Sequence, residues 1–263
     1  MDLGIAGKTA LVAASSKGLG RAAARCLAEE GARVVICARN EEELEAAAAS
    51  LRSETGAEVL AVPADVSVAE DIRRVAAQAR EAFGPVDILV NNAGGPPPGF
   101  FSDMTDADWQ QAHELTLMSS VRFTREVLAD MRKRGFGRII NITSVSVKQP
   151  IDQLLLSNSL RLGVVGWAKT LSNQVAADGV TINNVCPGWT RTDRVTGLLE
   201  SRSKNEGISQ AGAERSITDA IPMQRLGEPE ELASLITYLA SRQAAYLTGA
   251  TIQVDGGLTA GYS

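Results

Sequence analysis

The sequence contains little histidine and little cysteine, and both shortages narrow the chemistry open to it. Among its 263 residues there are one histidine and three cysteines. Cys26, Cys37 and Cys186 fit neither a CxxC pair nor a zinc-binding spacing, so we expect no metal site and interpret them as buried free thiols in a reducing cytoplasm. His113 lies beside polar residues on a predicted helix, where a solvated position is a better interpretation than a general base.

Long apolar runs and basic runs are also missing. The 26 basic and 31 acidic residues give a formal net charge of -5, and no cluster of Lys or Arg resembles a nucleic-acid or membrane surface. No uninterrupted apolar stretch is long enough to span a bilayer, and Met1–Gly4 carries an acid where a signal peptide has cations. We therefore expect a soluble, cytoplasmic protein without nucleic-acid or membrane partners.

Short apolar runs alternate with longer amphipathic segments along the whole chain. Continuous apolar runs fit strands that are covered on both faces, as in a parallel sheet flanked by helices. The alternation predicts an α/β fold with a doubly wound parallel sheet of about seven strands and helices on both faces. With 44% apolar residues and no linker or repeat, residues 1–263 are predicted to form one domain. The predicted strands are Lys8–Ala14, Arg33–Ala38, Glu58–Val62, Val86–Asn91, Arg138–Ile142, Thr181–Cys186 and Thr251–Asp255.

Two segments lack this alternation, and each follows a predicted strand. The first is the glycine- and proline-rich segment Gly94–Gly99, and the second is the irregular segment Thr190–Met223. Ligands of open α/β sheets bind at the carboxyl ends of the strands, where both segments emerge. We expect both to form walls of a substrate site, with residues 190–223 as a substrate loop or lid.

A glycine-containing turn after the first predicted strand leads into a helix-favouring segment. Gly18 and Gly20 lack a Cβ, so backbone can approach an anion closely and the helix can pack on the sheet. Strand, turn and helix in this order direct a helix amino terminus at a diphosphate, as in Rossmann-type sites. An ordinary turn is the alternative. The residues predicted to bind the cofactor here are Ser15, Ser16, Lys17, Gly18, Leu19 and Gly20.

The end of the second strand selects between the two nicotinamide dinucleotides. An acid there binds the adenosine ribose of NAD, whereas an arginine accommodates the 2′-phosphate of NADP. The chain has Arg39 at this position, and Lys17 can approach the same phosphate from the other side. Two cations that merely cap solvated loops are the alternative. The absence of an acid favours NADP(H).

Together with further motifs spread over almost the whole chain, these residues resemble the short-chain dehydrogenase/reductases, of the kind compared with 3-oxoacyl-ACP reductases. The further motifs are Ala64–Val66, Asn91–Gly94, Asn141–Ser144, Cys186–Thr192, Arg225–Glu231, Thr248–Gly249 and Val254–Gly257.

This resemblance implies cofactor contacts to the adenine, to the adenosine ribose, and to the nicotinamide amide and diphosphate. For Asp65 a turn or N-cap acid, and for Asn91 and Asn92 an ordinary strand-end turn, are the alternatives. The resemblance also implies a homo-oligomer, a dimer or tetramer, through a helical face that includes Trp167 and Leu171; packing in the core is the alternative there. The implied contact residues, in the order above, are Asp65 and Val66; Asn91, Ala93 and Gly94; Pro187, Gly188 and Thr192.

The catalytic positions depart from the family. Its active sites combine Asn, Ser, Tyr and Lys, with Tyr and Lys four residues apart on one helix face. Ser144 matches the serine, but Ser157 stands at the tyrosine position and Arg161 at the lysine position. Thr116 stands at the asparagine position. Serine is a poorer proton donor than tyrosine, and a guanidinium does not release a proton near neutral pH.

Two functions are compatible with these substitutions. In the first, the protein is an NADP(H)-dependent oxidoreductase that interconverts a carbonyl and a hydroxyl group of a small molecule. Ser144, Ser157 and Arg161 then polarise the substrate, while water, Lys148 or Asp152 supplies the proton. In the second, it is an NADP(H)-binding pseudoenzyme that serves as a sensor, partner subunit or scaffold. We favour the first because the cofactor motifs persist.

Overall fold

The computed structural model describes residues 2–261, which contain one sheet of seven strands. The strands are β1 (Thr9–Val12), β2 (Arg33–Ala38), β3 (Val59–Pro63), β4 (Ile88–Asn91), β5 (Gly137–Ile142), β6 (Val180–Pro187) and β7 (Thr251–Val254). All neighbouring strands are parallel, in the order β3-β2-β1-β4-β5-β6-β7. The predicted doubly wound sheet is therefore confirmed.

Helices cover both faces of this sheet. They are α1 (Gly18–Glu29), α2 (Glu41–Thr55), α3 (Ala69–Phe83), α4 (Asp106–Ala112), α5 (Ser119–Arg134), α6 (Leu155–Val175), α7 (Asp193–Glu206), α8 (Gln210–Thr218) and α9 (Pro229–Ala240). One core lies between the sheet and α1, α2 and α9, and a second lies between the sheet and α3, α5 and α6. Because both faces are covered, the strands need continuous apolar runs rather than alternating ones.

The direction of strand addition reverses between β1 and β4. From β1 the chain continues to β2 and β3 on one side, and then returns to place β4 on the other side of β1. The two crossovers diverge and leave a crevice at the carboxyl ends of these central strands, where ligands of such sheets bind. The fold thus brings the turn after β1 together with the ends of β2, β4 and β5.

Local signals fix both ends of helix α2, which borders that crevice. The Asn40 side-chain oxygen accepts a hydrogen bond from the Glu43 backbone N–H at 3.1 Å and caps the first turn. Gly56, at φ 70°, ends the helix in a left-handed conformation. The acidic residues Glu41, Glu42 and Glu43 occupy the first turn, where the helix dipole favours negative charge.

Helices α4 and α5 are joined by a π-helical segment, His113–Met118. Segments of this type are rare and occur frequently at functional sites. This one buries Thr116, whereas His113 keeps 44% of its side chain exposed. The position predicted to replace the catalytic asparagine therefore lies where the helix departs from regular α geometry.

The interpretation of residues 190–223 as irregular is wrong, because α7 and α8 occupy most of this segment. The side chains of Thr192 and Ser209 cap the two helices, and Gly207 ends the first of them in a left-handed conformation. The scattered apolar residues of this polar segment gave no clear periodicity. They form a small separate core made of Leu199, Ala213, Ile217, Ile221 and Leu226.

The apolar face of α6 packs largely inward. Val164 and Ala168 are buried, and Trp167 and Leu171 pack partly against the core under α3 and α5. Core packing thus accounts for much of this face, and a homo-oligomer stays a prediction. No helix between residues 2 and 261 is both long enough and apolar enough to cross a membrane.

The cysteines are unpaired and differ in burial. Cys37 and Cys186 are buried, as predicted, whereas Cys26 is half-buried. Burial raises the pKa of the Cys37 thiol to about 11, so it stays protonated at neutral pH. Across the described ranges, no three His, Cys, Asp or Glu side chains come together in a way that could hold a metal ion.

Candidate cofactor and active site

A cleft of about 840 Å³ opens at the carboxyl ends of the central strands. Many of the sequence-predicted cofactor residues line it: Ser16, Lys17, Gly18, Leu19, Arg39, Asp65, Val66, Ala93, Gly94 and Thr192. Its walls also include residues that sequence reasoning did not assign to the cofactor: Ala14, Asn40, Glu43, Gly95, Leu115, Ile142, Thr143, Asp193 and Arg194. The volume falls within the range of protein sites for cofactors and small molecules.

The glycine turn forms the floor of the cleft, with two of its predicted residues beneath the surface. Gly20 has no room for a side chain, because a Cβ there would lie 2.6 Å from the Ala14 carbonyl oxygen and 2.8 Å from Asn92 Nδ2. Ser15 is buried and donates its hydroxyl to the Val12 carbonyl at 2.6 Å. Gly20 therefore serves helix packing, and Gly18, at φ 58°, provides the open turn.

Ala14, at the start of the glycine-containing turn after β1, adopts a conformation that suits glycine. Its φ is 47°, in the left-handed region, where a residue with a Cβ costs about 1–2 kcal/mol. Asn92 Nδ2 donates to its carbonyl at 2.9 Å and holds this conformation in place. The side-chain amide of Asn92 was not predicted as part of the site, since its partner is distant in sequence.

Replacing Ala14 with glycine is expected to stabilise the protein. The strain removed exceeds the added entropy of the unfolded chain, which leaves a gain of about 0.5–1 kcal/mol in the free energy of unfolding. Urea unfolding measures the change. The control is Ala13→Gly at the buried neighbouring position, which is outside the left-handed region and should lose stability. Equal losses in both variants would contradict the strain at Ala14.

One end of the cleft carries the predicted phosphate-binding cations. Arg39 lines the cleft and forms no ion pair within 4.0 Å inside residues 2–261. Lys17 Nζ lies 3.4 Å from Glu43 Oε2, with both side chains exposed. Such a pair is worth little in water, so Lys17 can exchange Glu43 for a phosphate at low cost.

Asp65 was predicted to contact the adenine, with a structural turn acid as the alternative, and the structure shows features of both. Its Oδ1 accepts hydrogen bonds from the Ser67 backbone N–H at 2.9 Å and from the Ser67 hydroxyl at 2.7 Å. This is the turn geometry expected of a structural acid. The residue nevertheless lines the cleft.

The asparagine at the end of β4 braces the sheet. Asn91 Nδ2 donates to Asn141 Oδ1 at 2.8 Å, and Asn141 Nδ2 donates to Asn184 Oδ1 at 2.9 Å. Asn184 Nδ2 continues the chain to Thr251 Oγ1 at 3.1 Å. Buried amides that are paired in this way strengthen one another in a low-dielectric interior. Asn91 is thus behind the cleft wall that Ala93 and Gly94 form.

Pro187 and Gly188 also lie outside the residues that line the cleft. A Cβ at Gly188 would be 2.8 Å from Asp255 Cα, so this glycine permits close packing against the loop after β7. Thr192, four residues later, does line the cleft while it caps α7.

The predicted catalytic residues meet around the end of β5. Arg161 Nε donates to Ser157 Oγ at 3.2 Å, one helical turn away. Its Nη1 donates to the carbonyls of Ile142 and Thr143 at 3.1 and 3.0 Å. Ser144 follows Thr143, and its hydroxyl accepts from the Ser146 N–H at 3.1 Å. Of these predicted residues Arg161 lines the cleft, whereas the half-buried Ser144 and the buried Ser157 are not among the residues that border it.

Arg161 is a buried cation. Its exposed fraction is 9%, and no carboxylate of the described chain lies within 4.0 Å of it. Burial, and then the positive charge of Arg194, lower the pKa of its guanidinium to about 10, so it remains charged at neutral pH. The lysine of the family pattern is thus replaced by a cation that is held by carbonyl oxygens and keeps its proton.

Thr116 and Arg161 border the same small cavity. Thr116 Oγ1 and Asn91 Oδ1 are both buried without a hydrogen-bond partner in the structure. With Arg161 they border a cavity of about 10 Å³, which is on the order of the space that one water molecule needs. Unpaired buried oxygens of this kind are costly unless water satisfies them.

The structure does not bring the two proposed alternative proton donors into the cleft lining. Lys148 is half-buried and Asp152 is exposed, and neither is among the residues that border the cleft. No tyrosine from the described ranges borders it either. The most prominent residue missed by sequence reasoning is Arg194, whose guanidinium lies against Gly95 across the cleft.

Comparisons with known proteins agree with this geometry. The profile of a family described as enoyl-(acyl carrier protein) reductase matches residues 13–259. The chain is 34% identical to dehydrogenase/reductase SDR family member 4 of Oryctolagus cuniculus, over 96% of this chain and 94% of that protein. It is 36% identical to 3-oxoacyl-(acyl-carrier-protein) reductase FabG of Vibrio cholerae, over 97% and 99%.

A similar solved structure is L-sorbose reductase from Gluconobacter frateurii, complexed with NADPH and L-sorbose. Its TM-score is 0.96 at 36% identity, with 99% of this chain and 100% of that chain covered. The NADPH in that structure agrees with the NADP(H) predicted from Arg39 and Lys17.

Proposed function

Because the chain belongs to the short-chain dehydrogenase/reductase family, we propose that it is an NADP(H)-dependent oxidoreductase that interconverts a carbonyl and a hydroxyl group. The observation that carries this proposal is the distribution of cations along the cleft. Arg39 and Lys17 stand at one end, and the buried guanidinium of Arg161 stands at the other. Both a phosphorylated cofactor and a polarised carbonyl oxygen require positive charge at these places.

The residues of the cleft fit NADP(H). Arg39 and Lys17 would hold the 2′-phosphate, and the Gly18–Leu19 turn at the amino terminus of α1 would hold the diphosphate. The position of a Cβ on Gly94 has no atom within 4 Å, which leaves this wall open for the ribose. Bound NADPH would supply the hydride.

Arg161 would stabilise negative charge on the substrate oxygen. Its Nε and Nη1 are held by Ser157 and two carbonyls, so the guanidinium is fixed before the substrate binds. A charged guanidinium does not act as the proton donor near neutral pH. The proton would therefore come from water, and the cavity beside Thr116 would hold a water molecule next to Arg161.

The variant Thr116→Val tests this water. Valine has nearly the shape of threonine but lacks the hydroxyl that would bind the water, so we expect turnover to fall by about tenfold. The free energy of unfolding should change by less than about 1 kcal/mol, because the hydroxyl has no protein partner and only its hydrogen bond to the water is lost. Steady-state kinetics and urea unfolding measure the two effects separately.

Ser120→Ala is the matched control for this variant. Ser120 borders the same cavity, but its hydroxyl already donates to the Leu117 carbonyl at 2.8 Å. Turnover should change little in this control. A similar loss of turnover in both variants would assign the effect to packing, which would contradict a role for the Thr116 hydroxyl.

Cofactor titration followed by a carbonyl panel tests the proposed function. We expect NADPH to bind more tightly than NADH. At least one carbonyl compound should oxidise NADPH, which is followed as a loss of the absorbance of the reduced nicotinamide at about 340 nm. 3-Oxoacyl thioesters belong first in the panel, because the Vibrio cholerae relative is a 3-oxoacyl reductase by name. Failure to bind either dinucleotide would reject the proposal. NADPH binding without oxidation of the cofactor by any panel member would favour the non-catalytic sensor, partner subunit or scaffold.

A further inference from the structure

Two arginines at the same end of the cleft lack an acidic partner. Arg161 uses its hydrogen bonds on Ser157 and on backbone carbonyls. Arg194, in the first turn of α7, makes no ion pair within 4.0 Å among residues 2–261. The two charges are close enough for Arg194 to lower the pKa of Arg161. Arg161 is buried and Arg194 is exposed at the cleft surface, so solvent weakens but does not remove the repulsion between their charges. A bound anion would relieve that repulsion further.

The neighbouring arginine shows that acidic partners are available on the same segment. Arg191, three residues before Arg194, pairs with Glu214 at 3.0 Å and with Glu228 at 3.2 Å. Asp193 also borders the cleft, but it forms no ion pair with Arg194. The guanidinium of Arg194 instead extends to Gly95 on the opposite wall, where any side chain would collide with it. The fold therefore directs this arginine into the cleft.

No phosphate of the proposed cofactor is assigned above to Arg161 or Arg194. Its 2′-phosphate belongs with Arg39 and Lys17, and its diphosphate belongs with the amino terminus of α1. The reduced nicotinamide ring carries no charge, and hydride donation leaves a further positive charge in the region of Arg161 and Arg194. Negative charge on the other reactant would offset part of this positive charge.

From this imbalance we infer that the substrate is an anion, a carbonyl compound with a carboxylate group, and that Arg194 binds its carboxylate. The inference rests on the NADP(H)-dependent reduction proposed above. A guanidinium offers two parallel N–H donors that match the two oxygens of a carboxylate. Arg161 would contact the reacting carbonyl oxygen, and Arg194 would contact the carboxylate of the same substrate.

Matched pairs of keto acids and their methyl esters provide the test, with the NADP⁺ complex as the protein species. Pyruvate, acetoacetate and levulinate place the carboxylate successively farther from the ketone, and each methyl ester keeps the ketone but removes the charge. Titration calorimetry measures binding without turnover. At least one acid is expected to bind about tenfold more tightly than its ester.

Two variants assign the preference to a residue. Arg194→Gln should lower the affinity of the preferred acid to that of its ester while the NADPH affinity changes by less than about twofold. Arg191→Gln, the matched control, removes an arginine of the same segment that already has acidic partners. It should retain the preference for the acid.

The possible failures are distinguishable. Equal binding of acid and ester in all three pairs, by a protein that binds NADPH, would overturn the inference and leave the proposed function intact. A loss of about tenfold in NADPH affinity in Arg194→Gln would also overturn it, because Arg194 would then belong to the cofactor diphosphate. Failure of the wild-type protein to bind NADPH would reject the proposed function itself.

Discussion

Exchanging Arg39 for aspartate is expected to weaken NADPH binding by about 100-fold while NADH binding is maintained or improved. Arg39 stands in the cleft without an ion-pair partner in the described part of the chain. Its removal deletes charge-assisted hydrogen bonds to the 2′-phosphate, each worth about 1.5–3 kcal/mol, and the new carboxylate repels that dianion. Titration of the cofactor fluorescence with each dinucleotide measures the change in preference.

Two controls define this effect. Arg73→Asp makes the same change of charge on the exposed surface of α3, where Arg73 pairs with Glu70, and should leave both affinities unchanged. Glu43→Gln frees Lys17 from its carboxylate partner and should strengthen NADPH binding by about twofold to fivefold. Equal losses in Arg39→Asp and Arg73→Asp would show a general electrostatic effect and contradict a phosphate site at Arg39.

Restoring the family's side chains with Thr116→Asn, Ser157→Tyr and Arg161→Lys is expected to raise the reduction of simple neutral ketones by about 100-fold. Ser157 and Arg161 already occupy successive turns of one face of α6, so the new tyrosine and lysine would be adjacent. An ammonium group beside a phenol lowers the pKa of the phenol and makes it a better proton donor. Initial rates of NADPH oxidation with a ketone panel measure the gain.

The control for this triple variant places the tyrosine on the wrong face of the helix. Ser159 is exposed on α6 and lies two residues from Ser157, so Thr116→Asn, Ser159→Tyr and Arg161→Lys carries the same side chains without the donor geometry. It should show no gain. Equal rates in the two triple variants, both folded and both binding NADPH, would contradict the assignment of Ser157 to the proton-donor position.

The sheet and one end of the cleft were predictable because local patterns encode them. Each predicted strand has a counterpart in the structure, since strands buried on both faces require continuous apolar runs. The glycine turn and Arg39 were recognisable because they directly follow strands. Arg161 and Ser157 were predictable as a pair because a helix places residues four apart on one face.

The other end of the cleft depends on contacts that sequence spacing does not report. Arg194 reaches Gly95 because the first turn of α7 borders the cleft, and the helices α7 and α8 were themselves predicted as irregular. Asn92 donates to Ala14 across a separation of 78 residues. The unpaired oxygens of Thr116 and Asn91 likewise become recognisable only when burial is known.

The chain of amides behind the cleft also determines the alignment of the strands. Asn91, Asn141, Asn184 and Thr251 are direct neighbours across β4, β5, β6 and β7. If one strand slipped by a single residue, its amide would face aliphatic side chains and its former partners would be left unpaired, at about 1–3 kcal/mol for each buried group. Aliphatic strands alone would tolerate such a shift more readily. The chain of amides therefore disfavours misaligned pairing of these strands during folding. By fixing the register of β5 it also fixes the position of the Ile142 and Thr143 carbonyls that accept hydrogen bonds from Arg161.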